Sequence, residues 1–342
     1  MQSNRFFLRK TDASLGSEAD YPLAVVENDV SGLIQSTLGY KPLTVDLSDL
    51  STHHHVYSIQ TPKGDFYLKI PKTHSAARTL SLEHGIYTRL LGEVRTGIRI
   101  VKFDNQLRDF PFPFLLMTKA AGICLRSVDI DRKDFKDFIS SAINKMTEIH
   151  RPFTSGSGWG LLDVHAFEKT QDWQGAYASW QEYILSHLQE QLAFAVDHEV
   201  ITVKESNDIE KSLQSFAREI INPQAVLLHG DLGAHNIFVD EKTYAVTALI
   251  DWEDALRGDA FLDVAMFASF YRMEEFIDLI ISQYCVTTGL TKEKTWRHFW
   301  LYYVRVCFAK AVLRYKYGYD KGKGISTMIP KIQRALMELK SA

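Results

Sequence analysis

The chain has 342 residues, of which 46% are hydrophobic and 24% charged, a mixture typical of folded domains with ample core material. Its length exceeds what one hydrophobic core usually serves, so two lobes are expected. A formal net charge of −3 lacks the basic excess of nucleic-acid binders, and no nucleic-acid partner is expected.

Residues 1–20 are polar and read as a loose arm. Asp29 to Leu38 reads as a short helix ended by Gly39. The strand-like runs His55–Thr61 and Asp65–Ile70, joined through Pro62-Lys63-Gly64, form a hairpin signal. An amphipathic helix is predicted over 78–91, with further strands at Arg99–Phe103 and Phe112–Thr118. After Ala120-Ala121-Gly122 the pattern turns helical, with helices predicted over 133–149, 172–197, 202–220, 262–285 and 292–317. Three short apolar strands interrupt them: Ala225–Leu228, Ile237–Val239 and Ala245–Ile250, the last two spaced as a hairpin. The reading is α+β and bilobal, with a sheet-rich lobe over 1–118, a connection at 119–122 and a larger, mainly helical lobe over 123–342.

Cys124, Cys285 and Cys307 show neither CxxC spacing nor a disulfide framework. No uncharged apolar stretch approaches the roughly 20 residues of a membrane helix. The apolar run Phe6-Phe7-Leu8 is too short for a signal peptide. A cytoplasmic protein without membrane partners, monomeric or weakly homodimeric, is expected.

The chemistry concentrates at strand ends. Ala225–Leu228 runs into His229-Gly230-Asp231, Asn236 precedes Ile237-Phe238-Val239, and Ala248-Leu249-Ile250 ends in Asp251. Apolar strands hold their ends rigidly, as a catalytic constellation requires. Phosphoryl transfer needs a carboxylate for the attacking hydroxyl, oxygen ligands for Mg²⁺ and a cation on the phosphates. Asp231 suits the first role, and Asn236 and Asp251 the second. Singly, each would pass for a turn residue.

The segment His229–Asn236, followed by Ile250-Asp251-Trp252 and Gly258-Asp259-Ala260-Phe261-Leu262-Asp263-Val264-Ala265, resembles the aminoglycoside phosphotransferase (choline kinase-like) family over about residues 43 to 330. The resemblance implies a protein-kinase-like fold, a catalytic base at Asp231 and Mg²⁺ ligands at Asn236 and Asp251. It also implies a structural carboxylate at Asp263 that accepts backbone N–H bonds from the catalytic loop, with His229 bracing that loop. Two runs, Ser157-Gly158-Trp159-Gly160 and Ile250–Ala255, resemble hygromycin B phosphotransferase members of the family in particular.

In Phe66-Tyr67-Leu68-Lys69-Ile70, alternation places Tyr67 and Lys69 on one face, so Lys69 points to a cleft. Glu83 lies in the apolar stripe Leu80, Glu83, Tyr87, Leu90, and a glutamate there needs a cation, for which Lys69 is the candidate. The family has this lysine–glutamate pair. Phe114–Gly122 is similar to the family's hinge, with the Thr118 carbonyl and Ala120 N–H toward adenine and Met117 behind the base. Leu47–His55 stands where a glycine-rich loop would lie but has no glycine; Ser51 and Thr52 are the phosphate-binding candidates there. His53, His54 and His55 are consecutive and do not converge easily on one metal ion.

For the acceptor, Glu253 and Asp254 offer acid, and Phe270 and Tyr271 offer rings. Acid plus aromatic suits a cationic aminoglycoside-type antibiotic, and a metabolic kinase for an endogenous alcohol or sugar of choline, homoserine or ketosamine type is the alternative. The expected cofactors are ATP, with GTP as the other candidate, and Mg²⁺. A non-catalytic nucleotide-binding module would have lost some of Lys69, Glu83, Asp231, Asn236 and Asp251, all of which are present. A protein kinase would carry HRD, DFG and APE signatures, which are absent.

Overall fold

The computed structural model describes residues 27–48, 53–92, 96–150, 152–153, 156–220, 223–270, 273–317 and 323–341. The loose-arm expectation for 1–20 therefore lies outside the described residues.

The first lobe begins with α1 (Glu27–Leu38), followed by β1 (Thr44–Ser48), β2 (His54–Thr61) and β3 (Gly64–Pro71). Next come α2 (His74–Gly85), a π-helical continuation (Ile86–Leu91), β4 (Ile100–Asp104) and β5 (Phe114–Thr118). The strands form one antiparallel sheet in the order β1-β2-β3-β5-β4. Side-chain alternation divides it into two faces. Phe66, Leu68, Ile70, Phe114 and Leu116 pack with Val30, Leu33 and Ile34 of α1 on the outer face. Leu115 and Met117 turn the other way and join Leu80, Ile86 and Tyr87 in the larger core shared with the second lobe. The predicted helix over 78–91 thus starts earlier and changes form partway. Its start is fixed by Thr73, whose hydroxyl accepts the Ala76 N–H at 3.1 Å as an N-cap.

The second lobe contains β6 (Ile123–Cys124), α3 (Phe135–Ile149), β7 (Trp159–Leu162), α4 (Val164–Thr170) and β8 (Gly175–Tyr177). It continues through α5 (Trp180–Ile184), α6 (Leu188–Asp197), α7 (Val203–Glu219), β9 (Val226–Leu228), β10 (Ile237–Val239), β11 (Val246–Leu249) and β12 (Leu256–Gly258). It ends with α8 (Phe261–Ala268), α9 (Ile277–Thr288), α10 (Lys292–Tyr317) and α11 (Lys323–Ser341). Two small sheets, β11-β10-β6 and β8-β7-β12-β9, carry the segments around His229, Asn236 and Asp251.

Two long predicted helices are broken. The stretch 172–197 becomes β8, α5 and α6, because Ser179 caps a new helix by accepting the Glu182 N–H at 3.1 Å. The stretch 262–285 is interrupted after Ala268 and resumes at Ile277, with a 3₁₀ turn at Met273–Phe276 between. α11 was not predicted. Pro330 sits inside it and reads as a helix breaker in sequence.

Gly122, between the lobes, has φ +83°, and a Cβ there would lie 2.1 Å from the Val239 carbonyl oxygen. The connection can lie against β10 only with glycine at that position.

Candidate active site

The candidate catalytic loop leaves β9 at His229 and is held by Asp263 of α8. The buried Asp263 carboxylate accepts the N–H groups of His229 (2.7 Å) and Gly230 (3.1 Å) and a bond from His150 Nε2 (3.2 Å). A buried carboxylate with three donors is satisfied and fixes the chain that supplies them. His229 is fully buried, and its two nitrogens have opposite tasks. Nε2 faces the Ile250 carbonyl oxygen at 2.8 Å, and Nδ1 accepts the Asp231 N–H at 3.3 Å. These partners assign the proton to Nε2. His229 thus ties the Asp231 loop to the residue preceding Asp251.

Gly230 adopts φ +80°, and a Cβ there would stand 2.0 Å from the Asp254 carbonyl oxygen. The loop turns under the 251–254 segment because this residue has no side chain. Asn236 donates from its carboxamide nitrogen to the Asp231 carbonyl at 2.9 Å. That orientation directs the amide oxygen away from Asp231, as an oxygen available to a cation.

Lys69 of β3 stands opposite. Its Nζ lies 2.8 Å and 2.9 Å from the two Glu83 carboxylate oxygens and 2.8 Å from Asp251 Oδ1. Burial opposes the Lys69 charge, but Asp251 and Glu83 outweigh it and hold the ammonium well above the ordinary lysine range. Burial pushes the Glu83 carboxyl up, against the pull of Lys69. Asp251 has φ +69°, a left-handed conformation uncommon for aspartate, at the point where it reaches Lys69. The next residue, Trp252, is fully buried against the His229 ring, with centroids 4.6 Å apart.

At the candidate hinge, Met117 is buried and the Thr118 N–H is bonded to the Arg99 carbonyl at 2.9 Å. Lys119 N–H bonds the Asp65 carbonyl at 2.9 Å, and Ala120, next along the chain, is buried.

The acceptor-side candidates separate. Glu253 turns to the first lobe, where His54 Nε2 meets its Oε2 at 3.2 Å. Burial opposes its ionisation, but the bond to His54, with the charges of His54, His53 and Lys69, holds its carboxyl down at about 2. The Asp254 backbone covers Gly230. Phe270, just after α8, lines a cavity that Ala234 of the candidate catalytic loop also lines. Ser51, Thr52 and Tyr271 lie outside the described residues.

Three contacts escaped the sequence reading. His235 Nε2 lies 3.1 Å from Asp231 Oδ2. Its imidazole rests over Gly233, where a Cβ would come within 2.2 Å of His235 Cε1. The spacing of four in a loop, with glycine between, was the available signal. The second is the His54–Glu253 bond across 199 positions, for which sequence offers no signal. The third is Asp259, buried at the start of α8, which accepts from the Phe261 N–H (3.0 Å), His298 Nε2 (2.9 Å) and the Tyr302 hydroxyl (2.8 Å).

The sequence profile of the phosphotransferase enzyme family (APH) matches residues 48–296. The chain belongs to that family. It is a phosphotransferase with a kinase-like α+β fold of sheet-rich and mainly helical lobes. Among solved structures, aminoglycoside phosphotransferase APH(4)-Ia is similar with a TM-score of 0.65 and 15% identity, covering 92% of this chain and 99% of that one. A thermostable mutant of that enzyme, solved with ADP and hygromycin B, gives 0.66 and 13%, covering 91% and 98%. Aminoglycoside 2'-phosphotransferase-IIIa, as a GDP complex, gives 0.64 and 16%, covering 91% and 98%. A Thermobifida fusca YX-ER1 protein assigned as a fructosamine-3-kinase gives 0.57 and 15%, covering 91% and 100%. No curated protein sequence matches the chain. Among the described residues no helix is long and apolar enough to cross a membrane.

Proposed function

We propose that this phosphotransferase moves the γ-phosphoryl group of ATP, with Mg²⁺, onto a hydroxyl of a small molecule. The supporting observation is the meeting of Lys69, Glu83 and Asp251 within 2.9 Å, beside a loop that holds Asp231 and Asn236. The residues fit the absent groups by their chemistry. One carboxylate and one amide oxygen suit Mg²⁺, which takes few protein oxygens and completes its shell with phosphate and water. When bound, Mg²⁺ neutralises charge on the phosphates.

In this reading Asp251 and Asn236 hold the metal, and Lys69, kept charged and fixed by Glu83, contacts the phosphates. Asp231 orients the acceptor hydroxyl and takes its proton. His229 and Asp263 keep the loop in place, so that little reorganisation is needed during transfer. Met117, the Thr118 carbonyl and the Ala120 N–H form the base pocket, and Ser51 and Thr52 belong to the phosphate side. Residues 1–118 serve as the nucleotide lobe, 119–122 as the hinge and 123–342 as the catalytic and acceptor lobe. The nucleotide is ATP, with GTP as the alternative, and both ADP and GDP complexes occur among the neighbours.

An aminoglycoside-type acceptor has its support in the neighbour solved with hygromycin B, and an endogenous sugar or alcohol in the fructosamine-3-kinase likeness. The test is acceptor-dependent ADP formation across aminoglycosides, ketosamines and simple alcohols, with the product identified by mass spectrometry. Phosphorylated acceptor is expected. Tight Mg·ATP binding with no acceptor phosphorylated would contradict the reading.

A further inference from the structure

A cavity of about 550 Å³ opens between the segment 125–130 after the hinge, the first turns of α3, the end of α8 and the catalytic loop. That volume falls within the range of small-molecule sites, about 300–1,000 Å³. Its catalytic-loop wall is Ala234, three positions after Asp231, and the Ala234 carbonyl is pinned by the Arg126 N–H at 3.0 Å. Whatever fills the cavity therefore lies beside the loop that presents the catalytic carboxylate.

The lining is apolar. Eight of its twelve residues are large and hydrophobic, among them Val128, Ile130, Phe135, Phe138, Phe267 and Phe270. It contains one carboxylate, Asp129, and one guanidinium, Arg126, so its formal charge sums to zero. A compound with several ammonium groups would need several carboxylates in exchange for its water. Of the acids that the sequence offers to the acceptor, Glu253 is engaged by His54. Behind the Phe270 wall stand two cations. Lys310 Nζ lies 4.8 Å over the Phe270 ring and 2.7 Å from Ser269 Oγ, and Lys331 Nζ lies 2.9 Å from the Ser269 carbonyl oxygen and pairs with Glu274. This wall favours neutral, apolar matter over a polycation.

We infer that the cavity receives an apolar arm of the acceptor, so that the acceptor is an amphipathic alcohol with an aromatic or branched aliphatic group and at most one cationic centre. The inference rests on the phosphotransferase reading and narrows its acceptor. The arm seats among Val128, Ile130, Phe267 and Phe270, and the hydroxyl extends past Ala234 toward Asp231.

The experiment is ligand-observed NMR on the full chain with Mg·AMP-PNP present, using 2-phenylethanol as the apolar probe and glycerol as the polyol control. Saturable binding of 2-phenylethanol is expected, at least about tenfold tighter than glycerol, the discrimination that a few buried carbons give in an apolar pocket. Val128→Asp, on a half-buried loop position, and Phe270→Ala should each lose that preference. Val128→Asp should keep native Mg·AMP-PNP affinity, which reports that it is folded. In parallel, ADP formation with arylalkanols is compared with that for hygromycin B.

Two results would overturn the inference and leave the phosphotransferase reading standing. One is 2-phenylethanol binding no tighter than glycerol, or equally well to both variants, while Mg·AMP-PNP binds normally. The other is phosphorylation of hygromycin B in preference to every arylalkanol. Loss of Mg·AMP-PNP binding by the native chain would overturn both.

Discussion

Lys69 and Asp251, 182 positions apart, meet at 2.8 Å across the two lobes. The same ammonium also holds both oxygens of the fully buried Glu83. Removing the cation leaves a buried carboxylate without its main partner, a loss that typically costs about 3–5 kcal/mol. Lys69→Met should therefore destabilise the fold by about that amount and abolish nucleotide binding. The double variant Lys69→Met/Glu83→Leu should recover much of the stability without recovering activity. Urea unfolding and nucleotide calorimetry on both variants check the two halves separately.

His235 touches Asp231 Oδ2 at 3.1 Å from the solvent side. It holds one rotamer of the carboxylate expected to meet the acceptor hydroxyl. His235→Ala should lower kcat by about tenfold, equivalent to about 1.4 kcal/mol of transition-state positioning, with the KM for ATP unchanged. His235→Gln, which retains a donor, should recover part of the loss. An effect confined to KM would place His235 in substrate binding instead.

Gly230 combines φ +80° with a backbone oxygen 2.0 Å from where a Cβ would stand. Gly230→Ala should cost at least about 2 kcal/mol from left-handed strain and overlap together, and displace Asp231. Denaturant titration and turnover should fall together. A stable, active variant would mean that the 251–254 segment yields easily.

The loop signature was legible because its residues are consecutive and their chemistry is specific. The Lys69–Glu83 contact was legible because strand alternation and a glutamate in an apolar stripe each constrain one partner. Contacts between Glu253 and His54, or among Asp259, His298 and Tyr302, join distant segments with no local periodicity, so they emerge only after folding. The breaks in 172–197 and 262–285 were missed because tertiary packing overrides an apolar pattern that reads as one helix. β7, β8 and β12 are three or four residues long, too short for period-2 alternation to stand out. α11 was hidden by Pro330, tolerated within its 19 residues.

Asp104, at the end of β4, is buried and accepts the N–H groups of Gln106 (2.8 Å), Arg108 (2.8 Å) and Asp109 (3.0 Å). Burial works against its charge, and these bonds outweigh burial and lower its pKa below the ordinary aspartate value. The folded state thus binds the proton less tightly than the unfolded chain, whose aspartates titrate near about 3.9. The stabilisation is complete above that value and is lost as pH falls through the lowered folded pKa. Asp104→Asn should be less stable than the native chain at neutral pH, and the gap should close below about pH 4. Thermal melts of the pair from neutral to acid pH measure it, and a gap that stays constant would contradict the assignment.

The central claim is phosphoryl transfer through Asp231, and a single-turnover measurement with radiolabelled γ-phosphate tests it most directly. Native chain and Asp231→Ala are each mixed with Mg·ATP and the best acceptor from the panel, and labelled acceptor is followed over time. The account predicts transfer by the native chain and a rate at least about 10²-fold lower for Asp231→Ala, with nucleotide affinity largely kept. Transfer by Asp231→Ala at the native rate would contradict it.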